Sequence, residues 1–217
     1  MDPNGGPAMI VKALFSLLVF LQTGTILVDK VAATVNGEVV TIHDIERAIA
    51  LFPLSRQDKE SEEGFYLRVL DDLVTCKVIA LEYGDEFNLG EEDYAVVQTL
   101  VLKKAGSLET LLATLSGYDM SWTDLKSFIR EKVLYEKALR EKFAMELTVP
   151  FAAIEEFYSR EYLPSQLQLG LEPRSLAEMA PQVEAYLRQR GMEARRSAWL
   201  ADIRSAYTIE TKLRSPQ

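Results

Sequence analysis

The sequence predicts a mainly α fold, a multi-helix core with a small N-terminal β-hairpin that a C-terminal strand joins. Three observations carry this expectation. Apolar residues recur at helical spacing in successive segments between Ile42 and Phe143, and again between Leu176 and Ala206. Asn36-Gly37, the dipeptide that best accepts positive φ at both central positions of a type I′ turn, separates two short β-prone runs, Val31–Val35 and Glu38–Val40. Near the other end, Tyr207–Leu213 alternates apolar and polar residues as a half-buried strand does. A hairpin alone is marginal in water, so this segment is expected to be its third strand and the helices its apolar partner.

The elements follow in order. Thr41 stands where a helix N-cap belongs, and Asp44 three residues later can return the hydrogen bond and meet the positive end of the helix dipole. Ile42, Ile45, Ala48, Ile49 and Phe52 form one face of a short first helix, which Pro53 ends. The polar, mixed-charge stretch 55–63 reads as a linker or a solvated first turn. From Gly64 to Tyr83 runs a second helix with a wide apolar face, closed by Gly84, and Cys76 within it reads as a small buried hydrophobe.

Glu91, Glu92 and Asp93 then supply three negative charges to a first helical turn, where the dipole favours them. As a metal site the trio is a poor reading: adjacent side chains splay apart on a helix, and no histidine is near. The helix runs to Lys104 and stops at Ala105-Gly106. Ser107–Thr110 opens another, ended by Gly117. Ser121-Trp122-Thr123-Asp124 repeats the capping pattern and opens the longest uninterrupted helix, expected to reach about Leu147 before Pro150. Phe151–Tyr162 reads as a short helix. The segment 163–175 reads as a connector in which prolines and a glycine interrupt any helix. Leu176–Ala206 is helical by composition, with Pro181 in its first turns and Gly191 weakening its middle.

The totals narrow the function. The chain has 217 residues, 24 basic against 33 acidic, and a net charge of −9. That balance opposes phosphate-backbone binding, so nucleic acid is not an expected partner. The hydrophobic share of 48% is that of a folded chain. One cysteine allows neither an internal disulfide nor a cysteine metal cluster. Ahead of the fold, Lys12 precedes the apolar run Ala13–Leu21 and the small, polar Gln22–Thr25, the pattern of a secretory signal peptide. Residues 1–28 are therefore expected to be a signal peptide or an N-terminal anchor, with a buried N-terminal helix as the remaining alternative and Met9 a possible natural start. No Ala-x-Ala follows the apolar run, and stretching it toward a span must include Gln22 to Thr25.

The order of elements and several phrases resemble the SurA-like periplasmic chaperones. The resemblance rests on Val31-Ala32-Ala33-Thr34-Val35-Asn36-Gly37-Glu38-Val39-Val40-Thr41, similar to that family's opening strand pair and helix cap. It continues through Val69–Val74 with Lys77–Leu81, Leu108–Leu115, Trp122–Arg130, and the tail Trp199–Arg204 followed by Ile209. It implies a helical chaperone domain over 29–162, completed by a C-terminal helix and strand over 176–217, in an exported protein of a Gram-negative-type envelope. It also implies clients that are unfolded polypeptides, outer-membrane proteins among them. Family members carry a parvulin-type prolyl isomerase domain where this chain has only the connector 163–175. The histidines such a site uses are missing, since His43, the single histidine, reads as an exposed helix residue. The resemblance therefore implies a chaperone core without isomerase activity, a cofactor or a metal.

Without a phosphate-binding Gly-rich loop, such a protein holds its clients by passive affinity, in an apolar groove rimmed by charge. The expected groove uses Tyr94, Val97, Val101, Leu112, Leu115, Tyr118, Met120 and Trp122, more apolar side chains than short helices usually bury; core packing is the alternative for each. A second function class is a structural or assembly protein that binds one dedicated partner, or a homodimer formed by swapping the C-terminal helix. An enzyme is the weakest reading. Asp71-Asp72 point in different directions on a helix, and no Ser-His-Asp or Cys-His set can be built without His43.

Overall fold

The computed structural model describes residues 29–145 and 147–213. The expected signal peptide or anchor at 1–28 lies outside the described residues. The fold is mainly α, with a small three-stranded antiparallel sheet.

Strands β1 (Val31–Val35) and β2 (Glu38–Thr41) form the hairpin, with Asn36 at φ 48° and Gly37 at φ 89°, so both turn residues adopt the positive φ that this dipeptide tolerates. Strand β3 (Ile209–Thr211) pairs antiparallel with β1, Val35 opposite Ile209 and Ala33 opposite Thr211, which places β1 in the centre of the order β2-β1-β3. Asn36 does more than turn the chain. Its N–H donates to the Thr208 carbonyl at 2.9 Å and its Oδ1 accepts from the Thr208 N–H at 2.8 Å, so the hairpin tip is also the dock for the C-terminal strand.

Helix α1 (Ile42–Leu51) begins with the expected capping box: the Asp44 N–H donates to Thr41 Oγ1 and the Thr41 N–H to Asp44 Oδ2. Helix α2 (Glu62–Tyr83) starts two residues earlier than the apolar pattern predicts, because Ser61 accepts from the Gly64 N–H and fixes the N-terminus. The loop before it is not a free linker. Arg68 donates from Nε to Glu60 and from Nη2 to the Ser55 carbonyl, clasping the loop to α2. Helices α3 (Glu91–Ala105) and α4 (Leu108–Gly117) meet at Gly106, whose φ of 78° ends α3 in the left-handed conformation. Helix α5 (Trp122–Lys142) opens with the Ser121–Asp124 box and stops at Phe143, short of the expected Leu147. The core lies between the sheet and α1 to α5, built on fully buried Val35, Ile45, Val69, Val97, Leu125 and Ile129.

The connector differs from expectation. Helix α6 (Phe151–Phe157) continues through a π-helical turn (Tyr158–Tyr162) into α7 (Leu163–Gln168), so the prolines do not keep 163–168 from being helical. The Leu163 N–H reaches back to the Tyr158 carbonyl, a widened turn that admits Pro164 into the first turn of α7, where its missing N–H breaks no ladder. Only 169–175 is irregular, with Gly170 at φ 69° and the Tyr158 hydroxyl donating to the Arg174 carbonyl at 2.6 Å. Helix α8 (Leu176–Ser205), about 45 Å long, carries the chain back to the sheet. Its C-terminal half docks on α2, where Arg204 binds the Asp71 carboxylate at 2.7 Å and the Thr75 hydroxyl. Its N-terminal half packs with α6 into an arm in which only Ile154 and Val183 are buried. Gly191, read from sequence as a weak point, has a packing reason: a Cβ there would overlap the Leu147 side chain.

Candidate functional site

The eight residues expected to form one groove separate into two groups. Val97 (0% exposed), Val101, Leu115 and Tyr94 are buried in the core and line no open groove. They occupy the inward faces of α3 and α4, because two short helices laid against α1 and α5 use their apolar stripes for packing first. Leu112 (50% exposed) and Trp122 (47% exposed) are on the surface, and Leu108, one turn before Leu112, shares its outward face. Tyr118 and Met120 are half-buried; the Tyr118 ring leans on His43 with centroids 5.4 Å apart, and its hydroxyl donates to the Glu46 carbonyl. His43 itself lies 3.4 Å from Glu46 in a helix-surface pair.

An open pocket lies elsewhere, between α1, α2 and α5, with a volume of about 320 Å³. That is the lower end of the range for sites that enclose a small ligand, and gives room for large apolar side chains. Its floor and walls are Val40, Ala48, Phe52, Leu54, Val69, Leu73, Leu100 and Phe128, with the rings of Phe52 and Phe128 stacked at 6.2 Å. The pocket exists because Phe52 ends α1 in extended backbone and Pro53 carries the chain away, leaving the flank of the α2–α5 contact uncovered. Cys76 closes the floor. Burial pushes its thiol up to about 12, so it behaves as an apolar wall atom and not as a nucleophile.

The rim is charged and mostly self-paired. Lys77 Nζ lies 2.7 Å from Glu131 and 3.6 Å from Glu38. Lys132 Nζ lies 2.8 Å from Glu136 and 4.5 Å from the Tyr135 ring centroid. Asp44 is held in the α1 capping box. Asp72 is different: among the described residues, none donates a hydrogen bond to its carboxylate or forms an ion pair with it within 4 Å. It stands exposed at the mouth; the neighbouring apolar wall pushes its carboxyl above the usual range, with the more distant Lys132 pulling the other way and Asp71 adding to the rise. An apolar floor with convergent charge at the mouth can hold an apolar side chain and orient what flanks it. It offers no nucleophile paired to a base.

The pocket was hidden in the sequence because its residues come from separate stretches around 40–54, 69–77, 100 and 127–136. The available signal was the width of the second helix's apolar face, where Leu73 and Cys76 add to the stripe that packs the core. No family model matches the chain, and no curated protein matches it.

Proposed function

We propose that the protein is an ATP-independent holding chaperone of the periplasm, related to the SurA-like core and without prolyl isomerase activity, which binds unfolded polypeptides such as outer-membrane proteins. The observation that carries this reading is the open apolar pocket of about 320 Å³ between α1, α2 and α5, ringed by charge. A pocket of this size takes side chains, not folded domains, and its affinity for each is modest, so a client is held reversibly without nucleotide. Leu112 and Trp122 add exposed apolar contact elsewhere on the helical core. The sheet that closes on Asn36, with the α1 capping box behind it, agrees with the resemblance of the opening phrase to that family's strand pair and helix cap.

Diluting a denatured outer-membrane β-barrel protein into buffer with the purified protein tests this reading by light scattering. Near-stoichiometric suppression, with no acceleration of proline isomerisation in parallel, is the expected result; undiminished scattering contradicts it.

A second reading, an assembly protein for one dedicated partner or for its own dimer, draws on the arm, where Phe151, Leu167, Leu169, Leu171 and Tyr186 are all exposed. A mass that rises with concentration, without any effect on client aggregation, favours that class.

A further inference from the structure

We infer that the pocket between α1, α2 and α5 selects client segments in which a bulky apolar side chain is flanked by lysine or arginine, the apolar group seating against Phe52, Leu73 and Phe128 and the cation meeting Asp72. This rests on the holding-chaperone reading and specifies its client chemistry.

Charge complementarity favours a basic segment. Six charged residues line the pocket, the carboxylates Asp44, Asp72, Glu131 and Glu136 against the cations Lys77 and Lys132, so the mouth carries a net negative charge. Both lysines are already engaged, Lys77 by Glu131 and Glu38, Lys132 by Glu136. An acidic client segment would have to break one of these pairs to find a cation. A basic segment finds Asp72 without breaking anything, because its carboxylate receives no hydrogen bond from the described residues. Asp72 stands exposed at the mouth, so an incoming ammonium or guanidinium can reach it and make charge-assisted hydrogen bonds beside the apolar floor. The overall charge of −9 draws basic segments toward the surface before they dock.

The test uses fluorescein-labelled peptides with one Phe-Leu-Phe centre and flanks of lysine, glutamine or glutamate, titrated with the purified protein and followed by anisotropy. The lysine-flanked peptide is expected to bind about fivefold more tightly than the glutamine-flanked one, and the glutamate-flanked one most weakly. Added salt narrows the spread. Asp72→Asn brings the lysine-flanked peptide down to the glutamine-flanked affinity, while Asp85→Asn, outside the pocket, keeps the preference. Ser127→Trp, which places a ring in the pocket mouth, weakens binding of every peptide. Equal binding of the three flanks, or a lysine preference that survives Asp72→Asn, overturns the inference and leaves the chaperone reading standing if light scattering is still suppressed. Absence of both peptide binding and scattering suppression overturns both.

Discussion

Lys137 on α5 reaches Asp93 on α3, its Nζ 2.8 Å from the Oδ2 of a carboxylate only 4% exposed. Arg140, one turn later, grips Oδ1, and the Gly90 N–H donates to Oδ2 at 3.0 Å. One buried carboxylate thus caps α3 and ties it to α5. The acidic trio of the sequence divides accordingly: Glu91 pairs with Lys126 at the surface, Glu92 is exposed, and Asp93 is a structural anchor.

Removing that anchor should be expensive. Asp93→Ala leaves Lys137 facing a site that no longer neutralises it, and is expected to cost about 3 kcal/mol, read from urea unfolding. The pH dependence has a definite sign. The hydrogen bond from Lys137 holds the Asp93 carboxyl below its usual range, with burial opposing and Gly90 and Arg140 assisting. A depressed folded-state value means stability that is present above the unfolded value and lost as pH falls through the folded one. Wild-type stability should therefore fall below about pH 4 more steeply than that of Asp93→Asn. Parallel acid curves for the two proteins would show that the pair contributes nothing net.

The capping box at Thr41 is the joint between the sheet and α1. Thr41→Ala removes both the acceptor for the Asp44 N–H and the hydroxyl that donates to its carboxylate. The expected loss is about 1 kcal/mol, while Thr41→Ser should restore most of it. Equal losses in the two variants would point to the methyl group's packing as the source.

The arm should open before the core does. Between Phe151 and Gly191 only Ile154 and Val183 are buried, with Phe157 and Tyr186 touching at 5.2 Å between centroids. Few buried contacts mean low local stability, so amide exchange in α6 and the first half of α8 should be fast while α2 and α5 stay protected. Trp199, set between Tyr83 and Phe143, marks the point where α8 rejoins the core, and protection is expected to rise there. Uniform protection along α8 would count against this division.

Cys76 should be inert in the native state. A thiol that is 6% exposed and pushed up to about 12 presents almost no thiolate at neutral pH. Iodoacetamide labelling is expected only after unfolding, at a rate that follows global stability. Rapid native labelling would mean that the pocket floor opens on its own.

Much of the fold is legible in local chemistry. Asn36-Gly37, Thr41 with Asp44, and Ser121 with Asp124 each act within a few residues, so the sequence displays them directly. The third strand could also be read, since the alternation at Tyr207–Leu213 had only the hairpin to pair with. What lies beyond local chemistry depends on distant or subtle partners. The helicity of 163–168 needs a widened turn at Tyr158–Tyr162 that no residue pattern announces, and the vacancy at Gly191 is filled by Leu147, far away in the chain. The pocket was the least legible part. Apolar content alone marks Val97, Val101 and Leu115 as strongly as Leu112, yet packing puts the first three inside and leaves the last out. A pocket assembled from four separated stretches has no sequence signature of its own.

Passive holding of unfolded clients through the pocket has a consequence for aggregation that filling the pocket should abolish. A denatured outer-membrane β-barrel protein is diluted into buffer containing either the wild type or Ser127→Trp, and scattering is followed with time. The wild type is expected to suppress scattering strongly at near-stoichiometric amounts, and the variant with its pocket filled only weakly. Scattering that neither protein reduces, or that both reduce equally, would contradict it.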